Sequence, residues 1–229
     1  YLQKDPSNNI RISIKEFTLK NKLSFFDIKK QEGLLRNLMI RTSTTGDIMV
    51  LIQFFYEDHE KIELLMNFLK DQFKEITSLL YTINNKANNT IYDQKIICYS
   101  GLNYITEKIE DLSFKIGPKS FFQTNSKQAE VLYKSARKLA KISKDDIIYD
   151  LYTGTGTIAQ FVSKKAKKVI GIDSVPEAIE AANESAKNNR INNCSFFAGD
   201  MKNIFTDEFI SENGRPDLII TDPPRDGMH

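Results

Sequence analysis

Residues 147–157 (IIYDLYTGTGT) constrain the fold of this chain more than any other stretch. An apolar run ends in a carboxylate, passes through two glycines and leads into a helix-forming segment. This pattern predicts a strand, a tight turn and the start of a helix. Glycine suits such a turn because a side chain would hold a ligand away from the backbone or forbid a positive φ. Since the unpaired N–H groups of a helix start face polar or anionic ligands, the stretch indicates a site for a nucleotide-like cofactor.

The identity of that cofactor does not follow from the turn. Gly154, Gly156 and Ala159 fit the dinucleotide-binding pattern G-x-G-x-x-G/A, which is a weak signal in isolation. Asp173 ends the next apolar run, 17 positions after Gly156 (173 − 156), where a ribose-binding acid is expected. NAD and S-adenosylmethionine both contain a ribose, so these residues leave the two cofactors open.

Composition narrows the class of protein. With 229 residues, 41% of them hydrophobic, the chain can bury a core, and no run approaches the roughly 18 apolar residues of a membrane span. Cys98 and Cys194 lie far apart and predict neither a disulfide framework nor a metal site, which favours a reducing, cytoplasmic setting. The net charge of +2 neither requires nor excludes nucleic acid. The first residues show no signal-peptide pattern, and the missing initiator Met suggests a fragment.

Residues 1–116 are expected to form a small α+β domain. The runs 34–43 and 48–56 predict a β-hairpin, an amphipathic helix follows, and three later runs predict further strands. The polar segment 84–90 (NNKANNT) predicts a mobile loop. Cys98 is expected to be a small buried hydrophobe within a strand. Arg36 and Arg41 on the hairpin are compatible with an RNA-facing surface or with an ordinary solvated strand face.

From residue 147 onward, strands and helices alternate. This order predicts a parallel sheet with right-handed crossovers, in which ligands bind beyond the carboxyl ends of the strands. The second helix of this region is expected to begin with a capping box and a proline in SVPE, residues 174–177. Surface solubility alone does not explain four acids at or near the strand ends: Asp150, Asp173, Asp200 and Asp222.

The segment 117–125 (GPKSFFQTN) places two aromatic residues and a glutamine directly before a helix that Asn125 can cap. The aromatic residues could be packing staples, or they could stack on a base while Gln123 binds a cofactor or a base edge. Spacing leaves both interpretations open. The helix is predicted to run from Ser126 to about residue 142 and to bury six residues: Ala129, Leu132, Tyr133, Ala136, Leu139 and Ala140.

Together these pieces resemble the S-adenosylmethionine-dependent RNA 5-methyluridine methyltransferases. Five blocks carry the resemblance in the order of that family: FKIGPKSFFQTN (114–125), DLYTGTGTIA (150–159), GIDSVPEAIEAANESAKNN (171–189), FFAGD (196–200) and DPPRDG (222–227). The resemblance implies a Rossmann-like class I methyltransferase sheet within 117–229, incomplete at its C-terminus. It also implies that the α+β domain at 1–116 is the family's central domain.

The resemblance also implies roles for individual residues. Asp173 would take the ribose hydroxyls of S-adenosylmethionine, Phe121 or Phe122 would lie near a flipped uracil, and Arg225 would lie near the substrate. The expected lining of the cofactor pocket is Gln123, Tyr152, Gly154, Thr157, Asp173, Asp200 and Asp222.

The family's chemistry methylates uracil C5 in RNA, and the resemblance favours 23S ribosomal RNA over transfer RNA. A cysteine thiolate attacks C6, and the resulting enolate takes the methyl group at C5. A carboxylate base then removes the C5 proton, which expels the cysteine from C6 and restores the double bond. In the family, this cysteine and the glutamate base follow DPPRDG. They are therefore expected beyond His229, and the 229-residue chain alone is expected to be inactive. Cys98 and Cys194 lie outside the nucleophile motif.

Three other functions compete with this one. An amino-group methyltransferase acting on adenine or protein commonly has an aromatic residue after Asp-Pro-Pro, where this chain has Arg225. An NAD-binding oxidoreductase fits the glycine turn, but it gives no role to the Asp-Pro-Pro-Arg and Phe-Phe-Gln motifs. A catalytically silent RNA-binding module remains the third.

Overall fold

The computed structural model of the chain describes residues 5–223 and 227. Its contacts divide the chain into two compact units. The first is Tyr1–Thr106 with Ile116–Lys119, and the second is Glu107–Lys115 with Ser120–His229. The domain boundary expected at residue 116 stays a prediction. No helix within the described residues is both long and apolar enough to cross a membrane.

The first unit is a four-stranded sheet with two helices. The elements are α1 (Ser7–Lys20), β1 (Leu35–Thr42), β2 (Ile48–Phe54), α2 (His59–Gln72), β3 (Ser78–Ile83) and β4 (Ile97–Gly101). The sheet has the order β1-β2-β3-β4, with β1 antiparallel to β2, β2 parallel to β3, and β3 antiparallel to β4. Every residue of β2 is buried, which explains its continuous apolar sequence.

Two features of this unit differ from the sequence-based expectation. Helix α1 was not predicted, because its apolar stripe consists of few residues, Ile10, Ile14 and Phe17, and Pro6 precedes it without a side-chain cap. Cys98 is exposed rather than buried, since β4 lies at the edge of the sheet with one neighbouring strand. The predicted hairpin, helix α2 and strand β3 are present.

The second unit contains a four-stranded parallel sheet with helices. A two-stranded hairpin, β5 (Ile105–Ile109) with β6 (Leu112–Ile116), precedes the sheet in the chain, and Ile109, Leu112 and Phe114 of this hairpin join the core. The remaining elements are α3 (Ser126–Leu139), β7 (Ile147–Leu151), α4 (Thr157–Ser163), β8 (Lys168–Asp173), α5 (Pro176–Asn188), β9 (Cys194–Ala198), α6 (Met201–Ile204), α7 (Asp207–Asn213) and β10 (Leu218–Thr221). The parallel sheet has the order β10-β7-β8-β9.

Apolar side chains cover both faces of the parallel sheet. Ile148 and Val169 pack with residues of α3, α4 and α5, whereas Tyr149 and Ile170 pack with residues such as Phe209 of α7. The central strands therefore read as apolar runs instead of alternating patterns. The strands share one direction, so their carboxyl ends form a single edge, as the sequence predicted.

The local predictions for two helices were partly wrong. Helix α3 buries Ala129 and Tyr133, but Leu132 and Leu139 are 61% and 81% exposed, since only a narrow stripe of the helix contacts the core. Ala136 is also exposed. Helix α5 begins with the predicted proline, yet its N-cap residue is Val175 and no side-chain cap forms. The predicted capping box is therefore absent.

Candidate cofactor site

The turn between β7 and α4 has an unusual backbone. Tyr152, Gly154 and Gly156 all have positive φ, at 64°, 54° and 73°. The left-handed region disfavours a bulky side chain such as that of Tyr152, so surrounding bonds must enforce this conformation. The N–H of Thr153 donates to the carbonyl of Ile172 at 3.0 Å, and the N–H of Gly156 donates to the carbonyl of Thr153 at 2.9 Å. Strand β8 thereby holds the turn in place.

The two glycines of the turn differ in their surroundings. A Cβ on Gly156 would lie 2.7 Å from the ring of Phe196 and 3.0 Å from Ala182, so this glycine permits close packing of α4. A Cβ on Gly154 would meet no atom within 4 Å. Gly156 therefore has a packing role, while the space next to Gly154 is open to a ligand.

Asp150 stabilises the turn through hydrogen bonds of its side chain. Its side chain is buried, and its Oδ2 accepts hydrogen bonds from Thr153 Oγ1 at 2.6 Å and from the N–H of Ala159 at 2.9 Å. Its Oδ1 has no partner within the described residues. Burial raises the pKa of Asp150 to about 7, and the charges of Asp222 and Asp173 add to this effect while the two hydrogen bonds oppose it. Asp150 thus joins β7, the turn and α4 instead of lining an open rim.

Asp173, at the end of β8, contacts both the turn and the start of α5. Its Oδ2 accepts a hydrogen bond from the N–H of Gly154 at 2.8 Å, and its Oδ1 accepts one from the N–H of Val175 at 2.9 Å. An ionised carboxylate has about four lone-pair positions. Two positions are therefore left for the hydroxyl groups of a ligand.

Asp200 and Asp222 complete the acidic edge. The N–H of Gly199 donates to the carbonyl of Asp173 at 2.8 Å, which ties the end of β9 to that of β8. Asp200 follows, is exposed, and caps α6 by accepting from the N–H of Lys202 at 2.9 Å. Asp222 is also exposed, and its charge raises the pKa of Asp150. The structure therefore brings the four predicted acids to one edge of the sheet.

Tyr133 of α3 interacts electrostatically with two of these acids, although its sequence spacing indicated packing alone. It is 6% exposed, and burial raises its pKa to about 12, with further contributions from the charges of Asp222 and Asp150. Its ring lies 5.8 Å from that of Phe161, centroid to centroid. The spacing of Tyr133 from Ala129 predicted that Tyr133 is buried. No sequence signal pointed to its interaction with the acids.

The two neighbouring phenylalanines have different environments. Phe122 is half-buried, and its ring lies 5.9 Å from that of Phe114, so it packs on the core. Phe121 is 73% exposed. Gln123 is half-buried, and Thr157 is the first residue of α4, with its Oγ1 3.3 Å from that of Thr155. Arg225, the remaining predicted substrate residue, lies outside the described residues.

The cysteine in this unit is poorly suited to nucleophilic attack. Cys194 is half-buried, its Sγ donates to the carbonyl of Ala159 at 3.8 Å, and burial raises its pKa to about 12. The thiolate is the reactive form, and it is scarce near neutral pH at such a pKa. The geometry thus supports ligand binding at the acidic edge but supplies no thiolate from Cys194.

Comparison with known proteins identifies the class of this fold. A family model described as "Methyltransferase domain" matches residues 142–224. A protein of Bacteroides thetaiotaomicron named as an uncharacterized RNA methyltransferase is 53% identical over 232 residues, covering 100% of this chain and 51% of the relative. A Porphyromonas gingivalis protein of the same name is 53% identical over 225 residues, covering 97% of this chain and 48% of the relative. The chain is a homologue of these RNA methyltransferases.

A solved structure extends the likeness across both units of this homologue. The Pyrococcus abyssi tRNA (uracil-54, C5)-methyltransferase, solved in complex with S-adenosyl-L-homocysteine, matches with a TM-score of 0.76 and 29% identity. The match covers 96% of this chain and 52% of that protein. The chain therefore has the class I methyltransferase fold, and it spans about half the length of the relatives that it matches.

Proposed function

We propose that the acidic edge binds S-adenosylmethionine and that the chain is the cofactor-binding part of an RNA uracil-C5 methyltransferase. The observation that carries this proposal is the bond between the N–H of Gly154 and Asp173, beside a Gly154 with open space at its Cβ position. A backbone without a side chain and a carboxylate with unused lone pairs suit a nucleoside with two ribose hydroxyls.

The charge of the edge favours this cofactor over NAD. S-adenosylmethionine carries a cationic sulfonium and an ammonium group, whereas the pyrophosphate of NAD is anionic. Asp173, Asp200 and Asp222 would attract the first and repel the second, since charges interact strongly at short range next to a low-dielectric protein interior. The acidic edge thus disfavours the oxidoreductase alternative independently of the comparisons.

The residues named from the resemblance have distinct proposed roles. Asp173 would accept hydrogen bonds from the ribose hydroxyls, and the turn residues Tyr152, Gly154 and Thr157 would border the methionine part. The bound cofactor would supply an electrophilic methyl group. Gln123, Asp200 and Asp222 would complete the pocket from three other segments: residues 117–125, the end of β9 and the end of β10.

The proposed substrate is uracil in RNA. Support comes from the DPPRDG and FFQ motifs, from the names of the relatives, and from the solved uracil-C5 methyltransferase. The sequence resemblance favours large-subunit ribosomal RNA, whereas the solved relative acts on transfer RNA. The nucleophilic cysteine and the glutamate base would come from residues beyond 229, in keeping with the raised pKa of Cys194.

Calorimetric titration tests the cofactor assignment. S-adenosylhomocysteine is the ligand, NAD is the comparison ligand, and the chain is prepared as wild type, Asp173→Ala and Asp145→Ala. Asp145 is a matched control because it is an exposed acid at the opposite end of β7. We expect S-adenosylhomocysteine alone to bind, about tenfold or more weakly to Asp173→Ala and unchanged to Asp145→Ala. Binding of NAD in its place would refute the proposal.

The substrate assignment needs a separate assay with the protein extended to the length of its relatives. Transfer of a labelled methyl group to 23S ribosomal RNA would be compared with transfer to transfer RNA. The control is the same RNA in which the uracils carry no proton at C5. Methylation at C5 of uracil is expected. Labelling of an amino group instead would support the amino-group methyltransferase and contradict the uracil assignment.

A further inference from the structure

Arg36, on β1, organises the loop formed by residues 84–93. Its Nη1 donates to the carbonyls of Asn84 at 3.1 Å and Lys86 at 2.6 Å, and its Nη2 donates to that of Asn88 at 3.0 Å. Its Nε donates to Asn89 Oδ1 at 3.1 Å. The guanidinium also lies 4.5 Å from the ring centroid of Phe26. Arg36 therefore anchors the loop through four hydrogen bonds.

Asn84 holds the same loop from within. Its buried side-chain amide donates to the carbonyls of Asn88 at 3.3 Å and Thr90 at 3.2 Å, and to Gln53 Oε1 at 3.2 Å. Lys86 pairs with Asp93 at 2.5 Å. Arg36 and Asn84 thus bind several backbone carbonyls of this polar segment, whose mobility stays a prediction. Loops held in this way commonly present residues for binding.

The loop presents one aromatic ring beside two cations. Tyr92 is 73% exposed. Its carbonyl accepts a hydrogen bond from Lys119 Nζ at 2.8 Å. Arg41 lies near enough to Tyr92 for the two to interact electrostatically, and its Nη1 donates to the carbonyl of Gly117 at 3.2 Å. Asp93, the acid next to Tyr92, is paired with Lys86.

These three side chains come from separate parts of the sequence. Arg41 lies on β1, Tyr92 in the loop, and Lys119 two positions before the exposed Phe121. An exposed aromatic ring flanked by cations is the pattern with which proteins hold unpaired nucleotides, since the ring stacks on a base and the cations attract phosphates.

We propose that Tyr92, Lys119 and Arg41 form a contact surface for single-stranded RNA, with the ring of Tyr92 stacking on a base. This surface rests on the proposed function, because that function makes RNA the partner. It extends the function to a place in the first unit where neither the motifs nor the comparisons assign a contact. The chain leads directly from Lys119 into the segment of Phe121, Phe122 and Gln123.

The contact between Lys119 and the loop allows a sharp test, because Lys119 binds the backbone of Tyr92 and not its ring. Tyr92→Ala therefore removes the ring and leaves that hydrogen bond in place. Tyr92→Phe keeps the stacking surface, and Lys119→Ala removes one cation. Lys70→Ala on α2 is the control for a lost surface charge. Thermal unfolding of each variant checks that it is folded.

The measurement is fluorescence anisotropy of a labelled, uridine-containing single-stranded oligonucleotide with the 229-residue chain, at about 50 mM salt where phosphate contacts are strong. Tyr92→Ala is expected to raise the dissociation constant about tenfold, and Tyr92→Phe to change it less than about twofold. Lys119→Ala is expected to lower the salt slope by about 0.7. Lys70→Ala should bind as wild type does.

Titration with S-adenosylhomocysteine on the same samples separates the two proposals. If the cofactor binds but Tyr92→Ala and Lys119→Ala hold the oligonucleotide as tightly as wild type, the surface is wrong and the proposed function stands. Failure of the wild-type chain to hold the oligonucleotide also overturns the surface. If the cofactor does not bind, the proposed function fails, whatever the RNA measurements show.

Discussion

The N–H of Gly154 donates a hydrogen bond to Oδ2 of Asp173 at 2.8 Å. This bond joins the turn after β7 to the end of β8, two segments that parallel pairing brings side by side. It uses one lone pair of the carboxylate, and the N–H of Val175 uses another. Asp173 therefore stays fixed in direction while keeping acceptor capacity for a ligand, which is the preorganisation that tight binding requires.

The two glycines of the turn should respond differently to alanine. Gly156→Ala is expected to lower the free energy of unfolding by about 2–4 kcal/mol, because the new methyl group meets Phe196 and φ is positive. Gly154→Ala should lower it by only about 1–2 kcal/mol, from φ alone. Urea unfolding measures both. Calorimetry should then show that Gly154→Ala, though folded, binds S-adenosylhomocysteine at least tenfold more weakly. Equal losses of stability would contradict the distinction.

Because of Asp150, the free energy of unfolding should fall as pH rises from about 4 to 7. Its pKa is about 7 in the folded chain against an ordinary 3.8, so in this window the folded state keeps a proton that the unfolded state has released. The contribution of Asp150 to the free energy of unfolding is fully present below pH 4 and is lost as pH rises through 7. That loss amounts to at most about 4 kcal/mol.

Asp150→Asn tests this dependence, because an amide of the same size can still accept from Thr153 and Ala159 but cannot titrate. Urea unfolding at pH 5 and pH 8 gives the difference in stability for wild type and variant. The decrease from pH 5 to pH 8 should be smaller in the variant. Asp145→Asn, an exposed acid at the opposite end of β7, serves as the control for a lost carboxylate. An unchanged decrease in Asp150→Asn would show that Asp150 is ionised throughout this range.

Arg36 should be irreplaceable by lysine. Arg36→Lys keeps the charge but loses the planar fork that makes four hydrogen bonds to the loop, and it leaves carbonyls without partners. We expect the free energy of unfolding to fall by about 2–4 kcal/mol. Arg11→Lys, on the exposed side of α1, should change it by less than about 0.5 kcal/mol. Similar urea midpoints for both variants would argue against the anchoring role.

The two cysteines should differ in reactivity toward a thiol reagent. Cys98 is exposed, whereas Cys194 is half-buried with a pKa raised to about 12. A chromogenic disulfide at pH 8 should therefore titrate about one thiol in the folded chain and two in urea. Cys98→Ser should remove the fast reaction. Rapid modification of a second thiol in the folded chain would mean that Cys194 is more accessible than its contacts indicate.

The sequence predicted those features that depend on neighbouring residues. The apolar runs, the glycines and the acids after each run specified the strands, the turn and the parallel order of the second unit. Helix α1 was missed because its apolar stripe is short, and Leu132 and Leu139 of α3 were placed wrongly because their spacing also fits a buried helix face. Local periodicity shows where a helix forms, but not how much of it another element covers.

The sequence by itself determined that four acids would meet at the carboxyl edge of a parallel sheet, since the direction of parallel strands requires it. Only the tertiary structure decided how they differ. Asp150 is buried under α4 and binds its backbone, whereas Asp222, which follows a strand in the same way, is exposed. The tertiary structure likewise decided that Phe122 packs on the core while Phe121 is exposed, and that Arg36 binds the loop at residues 84–93. The burial of a side chain and its hydrogen-bond partners depend on elements that are distant in sequence. The sequence pattern around one residue therefore does not predict them.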